Sequence, residues 1–215
     1  MNVWKIELRL CSDFHSAGET RGSVIHVLKS GKTPYIPGSH MKGMLRTEAE
    51  RIWFSTHGGV RKCYLTGAPD GTEKSPAGIE KCKDDDGCPI CSLFGVPEQE
   101  EKGYAEAKVK FTDFFCSHGY NESERAHVKI RRDTGAKEKR ALFTEKTVAR
   151  GSVFTGFILM RTLEDAEEKL LHGALRSASD YGFGGGRTRG LGCVELTTNV
   201  GTMAEVKELL RGGWE

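Results

Sequence analysis

The sequence lacks an apolar stretch long enough to cross a membrane or to form the core of a signal peptide. Between Val3 and Leu10 the apolar residues are interrupted by Lys5, Glu7 and Arg9, whereas a membrane span needs about 20 largely apolar residues in a row. Internal repeats and low-complexity tracts are also absent. We therefore expect a folded cytoplasmic protein without a membrane partner, built as a single domain over residues 1–215.

A large net charge is lacking as well, because 32 basic and 30 acidic residues leave a formal net charge of +2. The total therefore says little about partners, and the distribution says more. Residues 64–106 carry ten acidic and four basic residues, whereas residues 125–150 carry nine basic and three acidic residues. The second segment is a candidate anion-binding surface, although a solvated charged hairpin would have the same composition.

Motifs for nucleotide hydrolysis are missing. The segment from Gly182 to Gly192 is rich in Gly but has no Gly-Lys-Ser/Thr ending, and it follows a predicted helix and precedes a predicted strand, unlike a dinucleotide-binding loop. Glycines allow a backbone to approach a ligand closely, and Arg187 and Arg189 add cations without a neighbouring acid. The alternative is a flexible connecting turn.

The periodicity of the rest of the chain predicts an α+β domain. Strands are expected over residues 3–11, 105–111, 153–160 and 191–196. Helices are expected over residues 39–54, 163–178 and 203–210. Residues 12–33 have no sustained period and are interpreted as a long loop that could include a short hairpin. The order resembles a ferredoxin-like or RRM-like antiparallel sheet with two helices on one face.

Residues 57–103 have no helical or strand period, and we interpret them as a Cys-rich insertion. Four of the seven cysteines fall there, which in a reducing compartment favours a metal site over disulfides. A stretch so poor in apolar residues cannot stabilise itself by burial, and a metal would supply the missing folding free energy.

The Cys-x-x-Cys pair of Cys88 and Cys91 predicts a structural zinc site, because two thiolates can reach one ion from a tight turn. Cys63 and Cys82 would complete the tetrahedral shell, and His57 could replace Cys63. A thioredoxin-like redox pair is the alternative, but it would lie at the start of a helix in a βαβ unit. The acidic residues immediately before Cys88 argue for zinc.

The helix predicted to start at Ser39 carries groups suited to phosphate. Ser39 is a good N-cap, and Lys42 and Arg46 share one face near the positive end of the helix dipole. Free backbone N–H groups, a hydroxyl and two cations can hold a phosphodiester backbone without reading its bases. An ordinary capped helix with surface cations has the same pattern.

Four ordered motifs together resemble those of the RAMP superfamily, and in particular the backbone subunits of type III CRISPR effector complexes. Pro37-Gly38-Ser39 with Lys42-Gly43 and Arg46 is similar to the family signature Pro-Gly-Ser-x-x-Lys-Gly-x-x-Arg. The segment from Arg131 to Phe154 resembles the thumb region and the strand after it. The run from Cys88 to Gly95 resembles the zinc insertion. The Gly/Arg segment from Gly182 to Gly192 resembles the Gly-rich loop of the superfamily.

The resemblance implies a subunit that polymerises in several copies along guide CRISPR RNA, contacts other effector subunits and positions complementary target RNA. It also implies a basic thumb hairpin over residues 118–150 and selection of sequence by base pairing rather than by protein contacts. The residues expected to bind RNA are Ser39, Lys42, Arg46, Arg131, Arg132, Arg187 and Arg189.

The resemblance also raises the question of catalysis, because type III backbone subunits cut target RNA beside an Asp in the loop after the first strand, with a divalent metal such as Mg²⁺. This chain has no Asp between His15 and Pro34. Asp13 lies at the strand end, Glu19 is a candidate metal ligand and His26 a candidate acid or base, and the alternative for each is a solvated loop residue.

Two further hypotheses remain. A RAMP-type endoribonuclease that processes precursor guide RNA would use the same Gly-rich loop with His15 and His26. A zinc-stabilised interaction module would use the Cys cluster but would give no role to the basic segment.

Overall fold

The computed structural model of the protein describes residues 2–56, 88–99, 103–117, 119–135 and 137–212. The helices are α1 (Gly38–Thr56), α2 (Pro89–Phe94), α3 (Asp165–Tyr181) and α4 (Met203–Gly212). The strands are β1 (Asn2–Leu10), β2 (Ala17–Arg21), β3 (Val24–Val27), β4 (Lys29–Ser30), β5 (Thr33–Ile36), β6 (Val96–Gln99), β7 (Gly103–Ala105), β8 (Val109–Phe111), β9 (Phe114–Cys116), β10 (Glu122–Ile130), β11 (Lys137–Val148), β12 (Val153–Met160) and β13 (Val194–Val200). Three candidate zinc ligands, His57, Cys63 and Cys82, lie outside the described residues.

A seven-stranded antiparallel sheet forms the framework, in the order β13-β1-β12-β9-β5-β4, with β8 also paired to β12. β1 lies between β12 and β13, with Ile6 opposite Gly156 on one side and Thr198 on the other. The alternation predicted for β1 is confirmed, because Ile6, Leu8 and Leu10 are all buried in the main core.

Two helices pack on one face of this sheet, as the sequence predicts. α1 and α3 contact each other, and α1 turns Met41, Leu45 and Ala49 into the core at helical spacing. α4 packs on the opposite face, because Val206 contacts Val3, whose side chain points away from the α1 side of β1. The predicted α+β class with two helices on one face is therefore confirmed. In the part of the chain that the structure describes, no helix is long and apolar enough to span a membrane.

Part of the region predicted as a loop, residues 12–33, belongs to a second sheet with the order β10-β11-β3-β2. β3 pairs parallel with β11, and Phe14 forms a bridge to Val148 with backbone hydrogen bonds of 2.8 Å in both directions. β2 and β3 are short, with Gly18 inside β2 and Gly22 in the turn between the two strands. They pair antiparallel, so the short hairpin that the sequence analysis allowed is confirmed. Of the two, β3 also pairs with the distant β11, and a strand that depends on such a partner need not show a local period.

The described end of the predicted insertion departs from the sequence analysis. Instead of an irregular stretch, residues 88–99 contain a short helix followed by a strand, and α2 buries Ile90, Leu93 and Phe94 in the main core. Pro89 occupies the first helical position, where its missing N–H costs nothing. Burial therefore stabilises this end of the segment.

Two predicted strands have different bounds in the structure. Of residues 105–111, only Val109–Phe111 pairs with β12, and the chain then turns at Asp113 into β9. The last strand starts at Val194 rather than at residue 191, because Gly192 has a φ of +75° and ends the loop before it.

Candidate nucleic-acid interface

The Gly-rich segment from Gly182 to Gly192 lies directly on the loop that follows β1. The N–H of Gly185 donates to the carbonyl of His15 at 3.1 Å, and the N–H of Gly192 donates to the carbonyl of Asp13 at 2.8 Å. The Gly-rich segment is therefore a held loop rather than a flexible turn, because its backbone groups are satisfied by a distant part of the chain.

A 3-10 turn at Arg187–Arg189 presents the cations of this loop. Gly186 and Gly190 flank the turn in the left-handed conformation, with φ of 73° and 81°. Arg187 Nη1 lies 3.8 Å from the carboxylate of Glu48 on α1, and Arg189 Nη2 lies 4.0 Å from that of Glu145 on β11. The two arginines therefore lie between the first helix and the base of the β10–β11 hairpin. The sequence analysis found no acid near these two arginines. Glu48 and Glu145 are close to them only in the folded chain, because both acids belong to elements far away in the sequence.

Glu145 is the centre of a buried polar cluster that joins the loop after β1, the β10–β11 hairpin and the Gly-rich loop. Its side chain is 5% exposed, with His127 Nε2 at 3.0 Å and His15 Nε2 at 3.3 Å from its two carboxylate oxygens. His15 also donates from Nδ1 to the carbonyl of Lys146 at 3.0 Å. The cluster ties the loop after β1 to the hairpin, and Arg189 reaches it from the Gly-rich loop.

The sequence analysis did not single out His127. It lies on β10 in register with Phe143 and stacks on that ring with a centroid distance of 4.8 Å. A lone His in a charged, alternating strand gives no signal of its own, because the face that it occupies is covered by elements far away in sequence.

Replacing Glu145 by Ala should lower the free energy of unfolding by about 1–2 kcal/mol, since the variant loses the buried hydrogen bond from His127 and the contacts of His15 and Arg189. The matched control is Glu124→Ala on β10, whose carboxylate is 61% exposed and contacts only Lys146 among the described residues. We expect that control to change stability by less than about 0.5 kcal/mol. Urea unfolding curves measure both, and equal losses would contradict a structural role for the cluster.

The first turn of α1 differs from the predicted cap. Asp113 rather than Ser39 caps the helix, because its carboxylate accepts the N–H of Gly38 at 2.8 Å, and Ser39 lies exposed inside the helix. The N–H groups of His40 and Met41 donate to the carbonyl of Pro37. The prediction of Ser39 as N-cap is therefore wrong, although Ser39 is exposed. The sequence analysis did not single out Asp113, which lies in the turn between β8 and β9.

Lys42 lies on one flank of this turn and His40 on the other, about 200° apart around the helix axis. Lys42 lines an open pocket of about 300 Å³ with Ser39 and Lys110. Burial and the charge of Arg46 lower the pKa of Lys42, and burial together with the charge of Arg187 lowers the pKa of His40. Lys42 and the Gly-rich loop thus lie on opposite sides of the first turn of α1.

Arg46 points inward, although the sequence analysis placed it beside Lys42 as a phosphate ligand. Its Nε donates to Glu50 and its Nη1 donates to the carbonyl of Gly95, each at 3.1 Å, and its side chain is 16% exposed. Its Nη2 is buried and has no hydrogen-bond partner among the described residues. Arg46 therefore joins α1 to the segment after α2.

Arg131 and Arg132 lie at the tip of the β10–β11 hairpin and are exposed. Arg131 donates from Nε to Asp133 at 3.1 Å. Arg125 is in register with Glu145, and six residues of extended strand separate Arg125 from Arg131, so the tip lies about 20 Å from the Glu145 cluster. The structure does not bring the tip to the Gly-rich loop.

One face of the hairpin exposes apolar side chains. Val128 is opposite Leu142, and both are exposed together with Ile130, whose exposed fraction is 61%. A solvent-exposed row of this kind on a two-stranded hairpin is typical of a binding element.

A second pocket, of about 770 Å³, lies between α1, α3 and the Gly-rich loop. Its lining includes Arg51, Arg187 and Thr188, and Tyr181 at the end of α3 is 69% exposed beside them. Glu48, at its floor, is buried and accepts hydrogen bonds from Arg51 at 2.7 Å and from Ser177. An exposed ring next to guanidinium and hydroxyl groups can bind a base and its phosphate. The sequence analysis did not single out Tyr181.

The three candidate catalytic residues do not converge. Glu19 and His26 line one open pocket of about 300 Å³ on the β2–β3 hairpin, and Arg21 binds the Glu19 carboxylate at 2.8 Å and lowers its pKa. Asp13 lies apart, where its carboxylate accepts the N–H of Arg150 at 3.1 Å and contacts Arg125 at 3.3 Å. Asp13 therefore anchors the base of the β10–β11 hairpin.

Cys88 and Cys91 lie three residues apart at the start of α2, with Cys88 at the N-cap position and both thiols half-buried. A position at a helix start is one feature of the redox alternative, but α2 leads into β6, which pairs antiparallel with β7 rather than completing a βαβ unit. The spacing suits two thiolate ligands of one ion. Within the described residues, no group of three or more His, Cys, Asp or Glu side chains is arranged to hold a metal.

Comparisons with known proteins place this arrangement in a family. The family model of the RAMP superfamily matches residues 8–195. Among solved structures, a chain from a "Type IV-B CRISPR Complex" superposes with a TM-score of 0.62 at 13% sequence identity, covering 92% of this chain and 90% of that chain, which shows a shared fold. A comparison with curated proteins gave no match. Because the family match runs from β1 through α1, the hairpin and the Gly-rich loop to β13, the chain belongs to the RAMP superfamily.

Proposed function

We propose that this chain is a backbone subunit of a type III CRISPR effector complex, in which copies polymerise along guide RNA and position complementary target RNA. The observation that carries the proposal is the pair Arg187 and Arg189, held between α1 and the hairpin base beside the exposed ring of Tyr181. Family membership and the fold shared with a chain of a CRISPR complex support it. The type III assignment rests on the motifs of the hairpin and of the Cys-Pro-x-Cys run.

In this proposal single-stranded RNA runs across the first turn of α1, from Lys42 on one flank to Arg187 and Arg189 on the other. A helix with its side chains is about 10–12 Å wide, so a few nucleotides span this distance. The groups along this path are cations, hydroxyls and one ring, which suit the phosphates and the faces of the bases rather than their edges. Binding is therefore independent of sequence, as base pairing to a target requires.

The exposed apolar face of the hairpin, with Val128, Ile130 and Leu142, fits a thumb that wedges between bases. Apolar side chains inserted between stacked bases offset part of the cost of unstacking. Arg131 and Arg132 at the tip are then placed about 20 Å from the Gly-rich loop, where they contact a different part of the RNA or a neighbouring copy. Contacts of one surface with a different surface of the next copy generate open helical filaments.

A structural zinc ion in this subunit would be held by Cys88 and Cys91 together with Cys63 and Cys82, or with His57 in place of Cys63. The two described thiols fit, because their spacing at the helix start lets both reach one ion. The ion would add folding free energy to a segment whose described end already packs against the core.

The surroundings of His15 argue against the alternative function, which is the processing of precursor guide RNA. That residue is 5% exposed, and both of its ring nitrogens face protein groups, Lys146 and Glu145. A ribose hydroxyl would have to displace one of these contacts before the imidazole could accept its proton.

We therefore expect purified protein to leave repeat RNA intact in the absence of metal, over an incubation in which it binds that RNA. Denaturing gels of end-labelled repeat RNA measure this. Site-specific cutting in EDTA that is lost in His26→Ala would overturn the filament proposal in favour of processing.

Target cleavage is a separate hypothesis that rests on the pocket of Glu19 and His26. Asp13, Glu19 and His26 are substituted one at a time and the reconstituted complex is tested with Mg²⁺. Asp13→Asn should also lower stability, because Asp13 anchors Arg125 and Arg150, whereas Glu19 and His26 lie in an open pocket. Loss of cleavage at unchanged RNA affinity in Glu19→Gln or His26→Ala would assign the reaction to this pocket.

A further inference from the structure

Cys11 and Cys193 lie next to each other at the ends of two paired strands. The register of β1 and β13 places Leu10 opposite Val194, and one further step along both strands places Cys11 opposite Cys193. The pairing continues to this point, because the N–H of Cys11 donates to the carbonyl of Cys193 at 2.9 Å. Both residues are exposed.

The geometry of this position suits a disulfide bond. Residues directly opposite in antiparallel strands have Cα atoms about 4.5–5.5 Å apart and side chains on the same face. A disulfide needs a Cα separation of roughly 4.4–6.8 Å. The strand register therefore places the two Cα atoms within the range that a disulfide allows. Closure needs the Cys11 thiol, which donates to the Arg9 carbonyl at 3.9 Å, to turn toward Cys193.

We propose that Cys11 and Cys193 form a reversible intramolecular disulfide, a modification site that locks the loop after β1 to the end of the Gly-rich loop. The co-reactant is a low-molecular-weight disulfide of the glutathione class. A thiolate of the pair attacks it, releasing one small thiol and forming a mixed disulfide. The second thiolate then displaces the other small thiol, so that two protein thiols are oxidised and one small disulfide is reduced to two thiols.

The position of the pair determines the effect of the bond. Four hydrogen bonds already join the two segments here. The N–H groups of Cys11 and Ser12 both donate to the Cys193 carbonyl, the N–H of Cys193 donates to Ser12 Oγ, and the N–H of Gly192 donates to the Asp13 carbonyl. The bond would close a loop of more than 180 residues, which restricts the unfolded chain strongly. The disulfide would preserve the native contact between the two segments and make their separation harder.

The environment of Cys11 slows the oxidation of this pair. Burial, the carboxylate of Glu195 and the neighbouring Cys193 raise the pKa of Cys11, and a protonated thiol reacts slowly. The equilibrium depends on the ratio of small disulfide to small thiol, so an excess of disulfide, as in a cell under oxidative stress, favours the bond.

The test treats folded protein with oxidised glutathione, blocks the remaining thiols with iodoacetamide and digests with trypsin. The expected product is a cross-link between the peptides of residues 10–21 and 190–207, present in the monomer on a non-reducing gel. The melting temperature should rise by roughly 5 °C or more and return to its starting value with dithiothreitol. Cys11→Ser and Cys193→Ser should lose both effects, and the matched control Cys116→Ser should keep them.

Three results would overturn the proposal: no cross-link under conditions that oxidise the urea-unfolded chain, a cross-link found only in disulfide-linked dimers, or the same rise in melting temperature in Cys193→Ser. None of these readouts involves RNA, so the outcome is independent of the proposed function.

Discussion

Replacing Lys42, Arg187 and Arg189 together by Ala should weaken binding of mixed-sequence single-stranded RNA by roughly 100-fold at moderate salt, since each cation contributes about 1 kcal/mol through a phosphate contact. The slope of log affinity against log salt concentration should become shallower by about 2, because single-stranded RNA gives about 0.7 per neutralised phosphate. Fluorescence anisotropy over a salt series measures both quantities.

The matched control removes the same charge elsewhere, in the variant Lys169→Ala, Lys207→Ala, Arg211→Ala on α3 and α4, where all three side chains are exposed. This control should change the affinity less than about threefold, because long-range electrostatics are largely screened beyond about 10 Å at ordinary salt. Equal losses in the two triple variants would show that only net charge matters, and the proposed RNA path would then be abandoned.

Variants that remove only some of these cations test the two ends of the proposed RNA path separately. Lys42→Ala tests one flank of α1, and the double variant Arg187→Ala, Arg189→Ala tests the other. The variants should fold, because Glu48 keeps Arg51 and Ser177, and Glu145 keeps His15 and His127, after the arginines are removed. If the double variant alone accounts for the whole loss, the RNA path follows the Tyr181 pocket and does not cross α1.

Gly192→Ala should lower the free energy of unfolding by more than about 3 kcal/mol. A Cβ at this position would lie 1.8 Å from the carbonyl oxygen of Phe183, and the residue has a φ of +75°. Phe183 is buried, and its N–H donates to the Gly192 carbonyl, so the backbone cannot shift without opening the loop. Urea unfolding with circular dichroism measures the loss.

Gly190→Ala is the matched control, with a φ of +81° and nothing within 4 Å of the added Cβ. It has the same left-handed strain without the collision and should cost only about 1–2 kcal/mol. Comparable losses in the two variants would mean that the close approach of Gly192 to Phe183 does not hold the loop. A large loss in Gly192→Ala alone would show that the loop is held rigidly on the core.

Local sequence patterns predicted the elements whose stability comes from one buried face. The alternation of Ile6, Leu8 and Leu10 and the helical spacing of Met41 and Leu45 report burial directly, because each period matches the geometry of its own element. The elements that the sequence patterns did not reveal are stabilised by contacts with distant parts of the chain. β3 pairs with the distant β11, and α2 depends on a core built by other segments.

The sequence analysis predicted the RNA-binding site as a set of cations, and the structure leaves only some of these side chains free to contact RNA. Arg187 and Arg189 lie at the surface as expected, but Arg46 is drawn inward by Glu50 and the Gly95 carbonyl. The helical position of Arg46 is readable from sequence, whereas the carbonyl that it meets belongs to a segment almost fifty residues later.

By itself the sequence determined the α+β class, the main strands and helices, the four family motifs and the basic character of the hairpin, because periodicity, glycine spacing and charge are local properties of the chain. Only the tertiary structure decided which motifs meet. It placed Glu145, His15 and His127 in one buried cluster, Arg187 beside α1, and Cys11 opposite Cys193. Such contacts depend on strand register and on the packing of distant elements, and no short window of sequence encodes either of them.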